Sequence, residues 1–201
     1  MRRLEVDSLL TRNVDLDLLL ANLDIKCKLL THLVIESDKW TNLSLLENLS
    51  CSLKILELTV NPYICDLKLI GRFRNLSSLT VRNASPILDI DGNSDLTILS
   101  GIISLGKLEV LVLEGFQALR LIAIAARSGK LRNLKQIALR RMMDYNVEHV
   151  RLVASKLPEL RYFEIDDTYD LGNEIEPIFC SLSPSFENIF FTSLPLLPKH
   201  S

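Results

Sequence analysis

At 201 residues the chain can bury a sizeable core, and 48% hydrophobic with 24% charged residues excludes a disordered polar tail. A formal charge of -2 supplies no global field for nucleic acid or an anionic membrane, so neither is expected as a partner. Arg2 and Arg3 lead into Leu4-Glu5-Val6-Asp7 rather than the apolar run of a signal peptide, and the longest apolar cluster, Leu18-Leu19-Leu20-Ala21, is too short for a bilayer; the expected location is the cytoplasm, with the nucleus open.

In chain order, a short apolar frame recurs. Residues 53 to 61 read LKILELTVN and residues 76 to 84 read LSSLTVRNA, each with apolar residues at the first, fourth and sixth places. Eight such frames start at Met1, Leu30, Leu53, Leu76, Leu108, Leu134, Leu160 and Phe186, separated by 29, 23, 23, 32, 26, 26 and 26 residues. The fourth and sixth places differ by two, so in a strand both face one side, while the first turns inward as the chain enters. The spacing predicts eight short strands, with helical segments at Asp95–Leu105, Ala118–Ser128 and Asn146–Leu157. Gly106 and Gly129 lie past the ends of the first two, and Pro158 follows the third.

A period in the twenties with an L-x-x-L-x-L signature resembles the leucine-rich-repeat family over essentially the whole chain. That resemblance, with the right-handed crossover of strand, helix and parallel strand, implies an α/β leucine-rich-repeat solenoid over residues 1–201: about eight irregular units, strands lining the concave face and helices the convex one. In the family the residue three beyond the sixth place is often an Asn that bonds neighbouring backbone. Here that place holds Asn61, Ala84, Phe116 and Met142, so mostly apolar turns are expected. The frame starts inside a repeat without a capping helix, which leaves room for the chain being a fragment of a longer protein, while Pro195 and Pro198 would stop a final strand.

The stretch DYNVEHVRLVASKLPELRYFEID, residues 144 to 166, resembles a repeat of the F-box/leucine-rich-repeat proteins, in which a helix of the form x-x-V-x-x-L-A-x-x-x-P-x-L leads into L-x-x-L-x-I. The resemblance implies a non-enzymatic module that recognises the substrate of an F-box ubiquitin ligase adaptor, with ligase components held through an F-box that this sequence does not contain. The alternative is the sensing or scaffold domain of an intracellular receptor, such as a nucleotide-binding immune receptor.

No catalytic constellation is expected. His32, His149 and His200 have no nucleophile or second ligand at working spacing, and no Gly-rich run cradles phosphate. Asp89–Asp95 is similar to a calcium loop but offers Ser94 and Ser100 where Gly and a bidentate Glu are required, so neither metal nor cofactor is expected. Cys27, Cys51, Cys65 and Cys180 lack paired spacing and read as small buried thiols. The sequons at Asn42, Asn48, Asn75 and Asn83 matter only in a secreted chain.

Function is therefore sought on the concave face, where the residues two, four and six past each frame start project. The outermost column contains Arg82, Glu114, Arg140 and Asp166, which alternate in sign and could pair laterally. An apolar centre of Val110, Val112, Ala138 and Tyr162, rimmed by Glu114, Arg140, Glu164, Asp166 and Asp167, with Phe190 in the same column as Val112, has the composition of a protein-binding patch. A protein partner on this face is the expectation.

Overall fold

A computed structural model of the chain describes residues 2–7, 16–37, 42–49, 51–61, 66–84, 93–142, 146–166 and 187–192. Among the described residues there are eight strands: β1 (Arg3–Asp7), β2 (His32–Glu36), β3 (Ile55–Val60), β4 (Ser78–Asn83), β5 (Val110–Glu114), β6 (Gln136–Arg140), β7 (Tyr162–Asp166) and β8 (Asn188–Thr192). They form a single sheet in strict chain order, every neighbour parallel.

The apolar frame sets the register. The fourth places stand side by side across the whole sheet, Leu4–Leu33–Leu56–Leu79–Leu111–Ile137–Phe163–Ile189, and so do the sixth, from Val6 to Phe191. A slip of one residue in any strand would turn these columns out to solvent and the polar columns inward. The first-place leucines 30, 53, 76, 108, 134 and 160 are buried just before their strands and close the core from that end. The result is a leucine-rich-repeat solenoid in which each unit covers the apolar face of the next.

Among the described residues the return segments fall into two kinds, separated by unit length. The 23-residue spacings carry 3-10 helices at Leu43–Leu49 and Leu67–Arg72. Longer spacings carry α1 (Leu16–Lys26), α2 (Asn93–Ile102), α3 (Leu119–Arg127) and α4 (Val147–Lys156). A 3-10 helix rises about 2.0 Å per residue against about 1.5 Å for an α-helix, so seven residues of one and nine of the other both return the chain by roughly 14 Å. Short units thereby keep pace with long ones.

The helix ends follow local chemistry. Asn146 caps α4 by accepting the backbone N–H groups of Glu148 and His149 on its side-chain oxygen. At the end of α3, Gly129 takes φ +71°, which a side chain would strain. Helix α2 ends at Ile102, three residues before the expected Leu105, in a tight turn where Ser104 N–H donates to the Gly101 carbonyl and Leu105 N–H to that of Ile102. The same stretch packs tightly against the neighbouring unit. A Cβ on Gly101 would stand 2.8 Å from the Leu67 carbonyl oxygen, and one on Gly71 would stand 3.1 Å from the Gly101 oxygen. This pair of glycines lets the 3-10 helix and α2 approach backbone to backbone. Gly101→Ala gains helix propensity of up to about 1 kcal/mol, but the contact is with backbone that cannot rotate away. We expect a net destabilisation of about 1–3 kcal/mol, read as a lower denaturation midpoint at unchanged m-value.

Candidate functional site

The candidate site is the open face of β3 to β7, on the side of the sheet away from the core columns. Parallel pairing lays Thr80, Val112, Ala138 and Glu164 in one row, and Arg82, Glu114 and Arg140 in the next. Two salt-linked networks occupy this surface.

In the first, Arg82 lies between Glu57, at 3.4 Å, and Glu114, at 3.7 Å, and Glu114 also accepts from Arg141 at 3.2 Å. In the second, the Arg140 guanidinium forks onto both oxygens of Glu164, at 2.7 and 3.1 Å, while the Tyr162 hydroxyl donates to Glu164 at 2.8 Å. The alternation of sign expected along one column is therefore realised for Arg82 and Glu114, whereas Arg140 reaches diagonally across rows to Glu164. A planar guanidinium matches a carboxylate two-point, and a row crossing supplies the geometry for it.

Hydrogen bonds from Arg140, first, and Tyr162 hold the Glu164 carboxyl below the usual carboxylate range, against the opposing pull of burial. The same contacts raise Arg140, through its bond to Glu164, and Tyr162, through its bond to the carboxylate and then burial. A carboxyl depressed on folding stabilises the fold above its ordinary pKa of 4.5 and loses that contribution as pH falls through the lower folded value; a raised tyrosine contributes below pH 10 and loses it above. Glu164→Gln is thus expected to lower the melting temperature at pH 7, with the gap to the parent chain narrowing as pH falls below 4.5, a trend that thermal melts across the acid range will show.

The apolar centre is smaller than its sequence implies. Ala138 is fully buried, which corrects its assignment to an exposed cluster; its single methyl group sits between the larger side chains of Val112 and Glu164 on the adjoining strands. Thr80 in the same row is also buried. Val110, Val112 and Tyr162 are half-buried, as are Glu114, Arg140, Glu164 and Asp166. Phe190 lies on β8 opposite Glu164, and its side chain, like all of Asp167, falls outside the described residues.

Three further expectations are corrected or completed. Cys51 is exposed and Cys27 half-buried, because both sit in turns rather than strands; Cys65 and Cys180 lie outside the described residues. Of the sequon asparagines, Asn75 uses both ends of its amide, donating to the Cys51 carbonyl at 2.9 Å and accepting from Lys107 at 2.6 Å, and Asn83 is buried. The turn position is shifted as well. Phe116 and Met142 plug the core as expected, but Ala84 is exposed, and among the described residues the polar groups buried at the turns are Ser37 and Asn83, one place earlier in their units. The Asn83 amide donates 3.1 Å to the Gly115 carbonyl, and the Gly115 N–H donates 2.8 Å to the Arg140 carbonyl, clipping the ends of β4, β5 and β6 together.

A second polar row at the other end of the strands was not expected from the frame. Asn133 donates 2.6 Å to the Gly106 carbonyl just as Asn75 donates to Cys51, and Lys135 pairs with Glu109 at 2.9 Å. They line a groove of about 670 Å³ with Lys54, Lys107 and Glu159. The available signal was an Asn directly before the first-place leucine, at Asn75-Leu76 and Asn133-Leu134.

No protein-family model matches the chain, and no curated protein matches it. Among solved structures, the chain is similar to the leucine-rich repeat-containing protein LegL7 from Legionella pneumophila, at 14% sequence identity and a TM-score of 0.47, over 99% of this chain and 77% of that one.

Among the described residues, no cluster of three or more His, Cys, Asp or Glu could hold a metal ion, and no helix is long and apolar enough to cross a membrane. The calcium-like loop at Asp89–Asp95 is largely outside the described residues. His32 accepts or donates to the Thr31 hydroxyl at 3.0 Å, and His149 sits on α4 beside the ion pair of Glu148 and Arg151. What the site offers is a fixed pattern of charge with an aromatic edge.

Proposed function

We propose that the chain is a non-enzymatic protein-interaction module whose open sheet face, from Arg82 to Asp166, takes a protein partner. The observation that supports this reading is the Tyr162–Glu164–Arg140 network. Side chains already locked by mutual bonds lose little rotamer freedom on binding, so a partner meets a surface whose ordering cost has been met in folding. Tyr and Arg are also the residue types that concentrate binding energy at interfaces. Four carboxylates (Glu57, Glu114, Glu164, Asp166) stand against three guanidinium groups (Arg82, Arg140, Arg141), so the partner's matching face carries both signs with a slight basic excess.

The finer reading is that this module recognises the substrate of a cullin-based ubiquitin ligase, with the ligase held by an F-box on a longer form of the chain. It rests on the resemblance of residues 144 to 166 to the repeats of F-box/leucine-rich-repeat proteins. Proximity labelling in cells, comparing the parent chain with Tyr162→Ala combined with Val112→Glu, tests both levels. The module reading expects a specific protein whose capture falls at least about tenfold in the variant, a loss of about 1.4 kcal/mol or more, while the circular dichroism spectrum is retained. Equal capture by both chains rejects the surface. The ligase reading further requires that the captured protein gains ubiquitin when the module is fused to an F-box.

A further inference from the structure

The side of the solenoid opposite the sheet carries a second feature. The large exposed apolar residues among those described, Leu18, Leu29, Leu96, Ile103 and Ile124, lie on or just after the helices. Of these, Ile124 on α3 alone is bracketed on its own helix by cations. Arg120 precedes it by four residues and Arg127 follows by three, which places all three on one helix face about 6 and 4.5 Å apart along the axis. Leu18 and Leu96 have no cation within four residues on either side.

Helix α4 completes a groove of about 640 Å³ beside that face, contributing Leu152 to its apolar floor and Arg151 and His149 to its wall. The single acid lining it, Glu148, is already bonded by Arg151 at 3.0 Å. Arg120 and Arg127 are exposed and form no ion pair with any described residue. From 119 to 132 the chain carries four cations, Arg120, Arg127, Lys130 and Arg132, and no carboxylate. Positive charge is thus concentrated over α3 in a chain whose formal charge is -2.

We propose that the groove between α3 and α4 docks an acidic amphipathic helix of a partner protein, one apolar side chain of which rests on Ile124 and Leu152 while carboxylates about one turn to either side meet Arg120 and Arg127. Two parallel helices with an apolar floor accept a third helix by its apolar stripe. Carboxylate–guanidinium bonds at either end then fix the position of the docked helix along the groove. A phosphate backbone gains nothing from the Ile124–Leu152 floor, and an anionic bilayer requires a wider apolar face than one exposed isoleucine provides. This surface is separate from the sheet face and stands or falls without it.

Fluorescence anisotropy of a labelled, alanine-based helical peptide carrying one Leu, with Glu four residues before and three after it, tests the proposal against the full 201-residue chain. Saturable binding is expected, weakened about tenfold or more by Arg120→Glu with Arg127→Glu, and comparably by Ile124→Glu, while the same peptide with Lys in place of Glu does not bind. All three positions are exposed, so circular dichroism should be unchanged; Arg120→Gln with Arg127→Gln gives the same readout with less perturbation should the charge reversal disturb the fold. No saturable binding, equal binding by the charge-reversed chain, equal binding of the lysine peptide, or an arginine-dependent affinity for phosphatidylserine vesicles without affinity for the peptide would each overturn it. The arginine variants keep the partner that Tyr162→Ala with Val112→Glu loses, so the two surfaces are judged independently.

Discussion

Leu111→Asp is expected to unfold at least the central units of the solenoid. Leu111 is fully buried on β5 and stands between Leu79 and Ile137 in the column that runs across the sheet. Removing its side chain from the core forfeits about 1.5–3 kcal/mol of apolar burial. The carboxylate that replaces it has no partner, and an unpaired buried charge costs several kcal/mol more unless it takes up a proton. The sum rivals the whole stability of an ordinary domain, about 5–15 kcal/mol. Because each unit is covered only by its neighbours, loss at β5 also exposes the flanks of β4 and β6. Circular dichroism should lose its helical and strand signal or show a broadened, early melt. An unchanged melt would mean that this column is not the core.

The second large effect is at Asn83. Asn83→Leu keeps the branched outline of the side chain, with somewhat greater bulk, and removes the amide that donates to the Gly115 carbonyl. That carbonyl belongs to a buried glycine held at φ +76°, and its donor Asn83 is buried as well. Leaving a buried carbonyl unbonded costs about 1–3 kcal/mol, which for a chain of this size lowers Tm by roughly 2–12 °C. The neighbouring substitution Ala84→Asn, at an exposed position, should stay within about 0.5 kcal/mol of the parent. Differential scanning calorimetry of the two variants separates the alternatives. If Ala84→Asn stabilises the chain while Asn83→Leu is neutral, the polar turn position belongs where the family pattern puts it and not where the fold does.

These two sites show how differently sequence and fold speak. The Leu111 column was legible because an apolar residue every two places, repeated at spacings of 23 to 32 residues, has one economical solution: parallel strands in register with their oily faces on one side. The limits of α3 and α4 were legible for a similar reason, since Asn146, Gly129 and Pro158 are local signals whose chemistry needs no distant partner. The 3-10 form of the two short returns was not, because it depends on how far the chain has to travel back across a sheet that the sequence alone does not measure.

The binding face divides along the same line. Which residues project from it followed from alternation alone, and Arg82, Glu114, Arg140, Tyr162 and Glu164 are all found there. Who bonds whom did not follow. A side chain as long as arginine can reach along its row or across to the next, and Arg140 takes Glu164, whose carboxylate also accepts from Tyr162. Likewise the burial of Ala138 is set by the height of Val112 and Glu164 on neighbouring strands rather than by its own place in the alternation. The sequence by itself determined which stretches form strands and the side on which each residue stands, because periodicity is a local property of the chain, while the stacking of the strands in chain order was implied by the repeat resemblance and the right-handed crossover. Only the tertiary structure decided exposure, ion pairing and the place of the buried amide at Asn83, because each depends on the distance between side chains some two dozen or more residues apart.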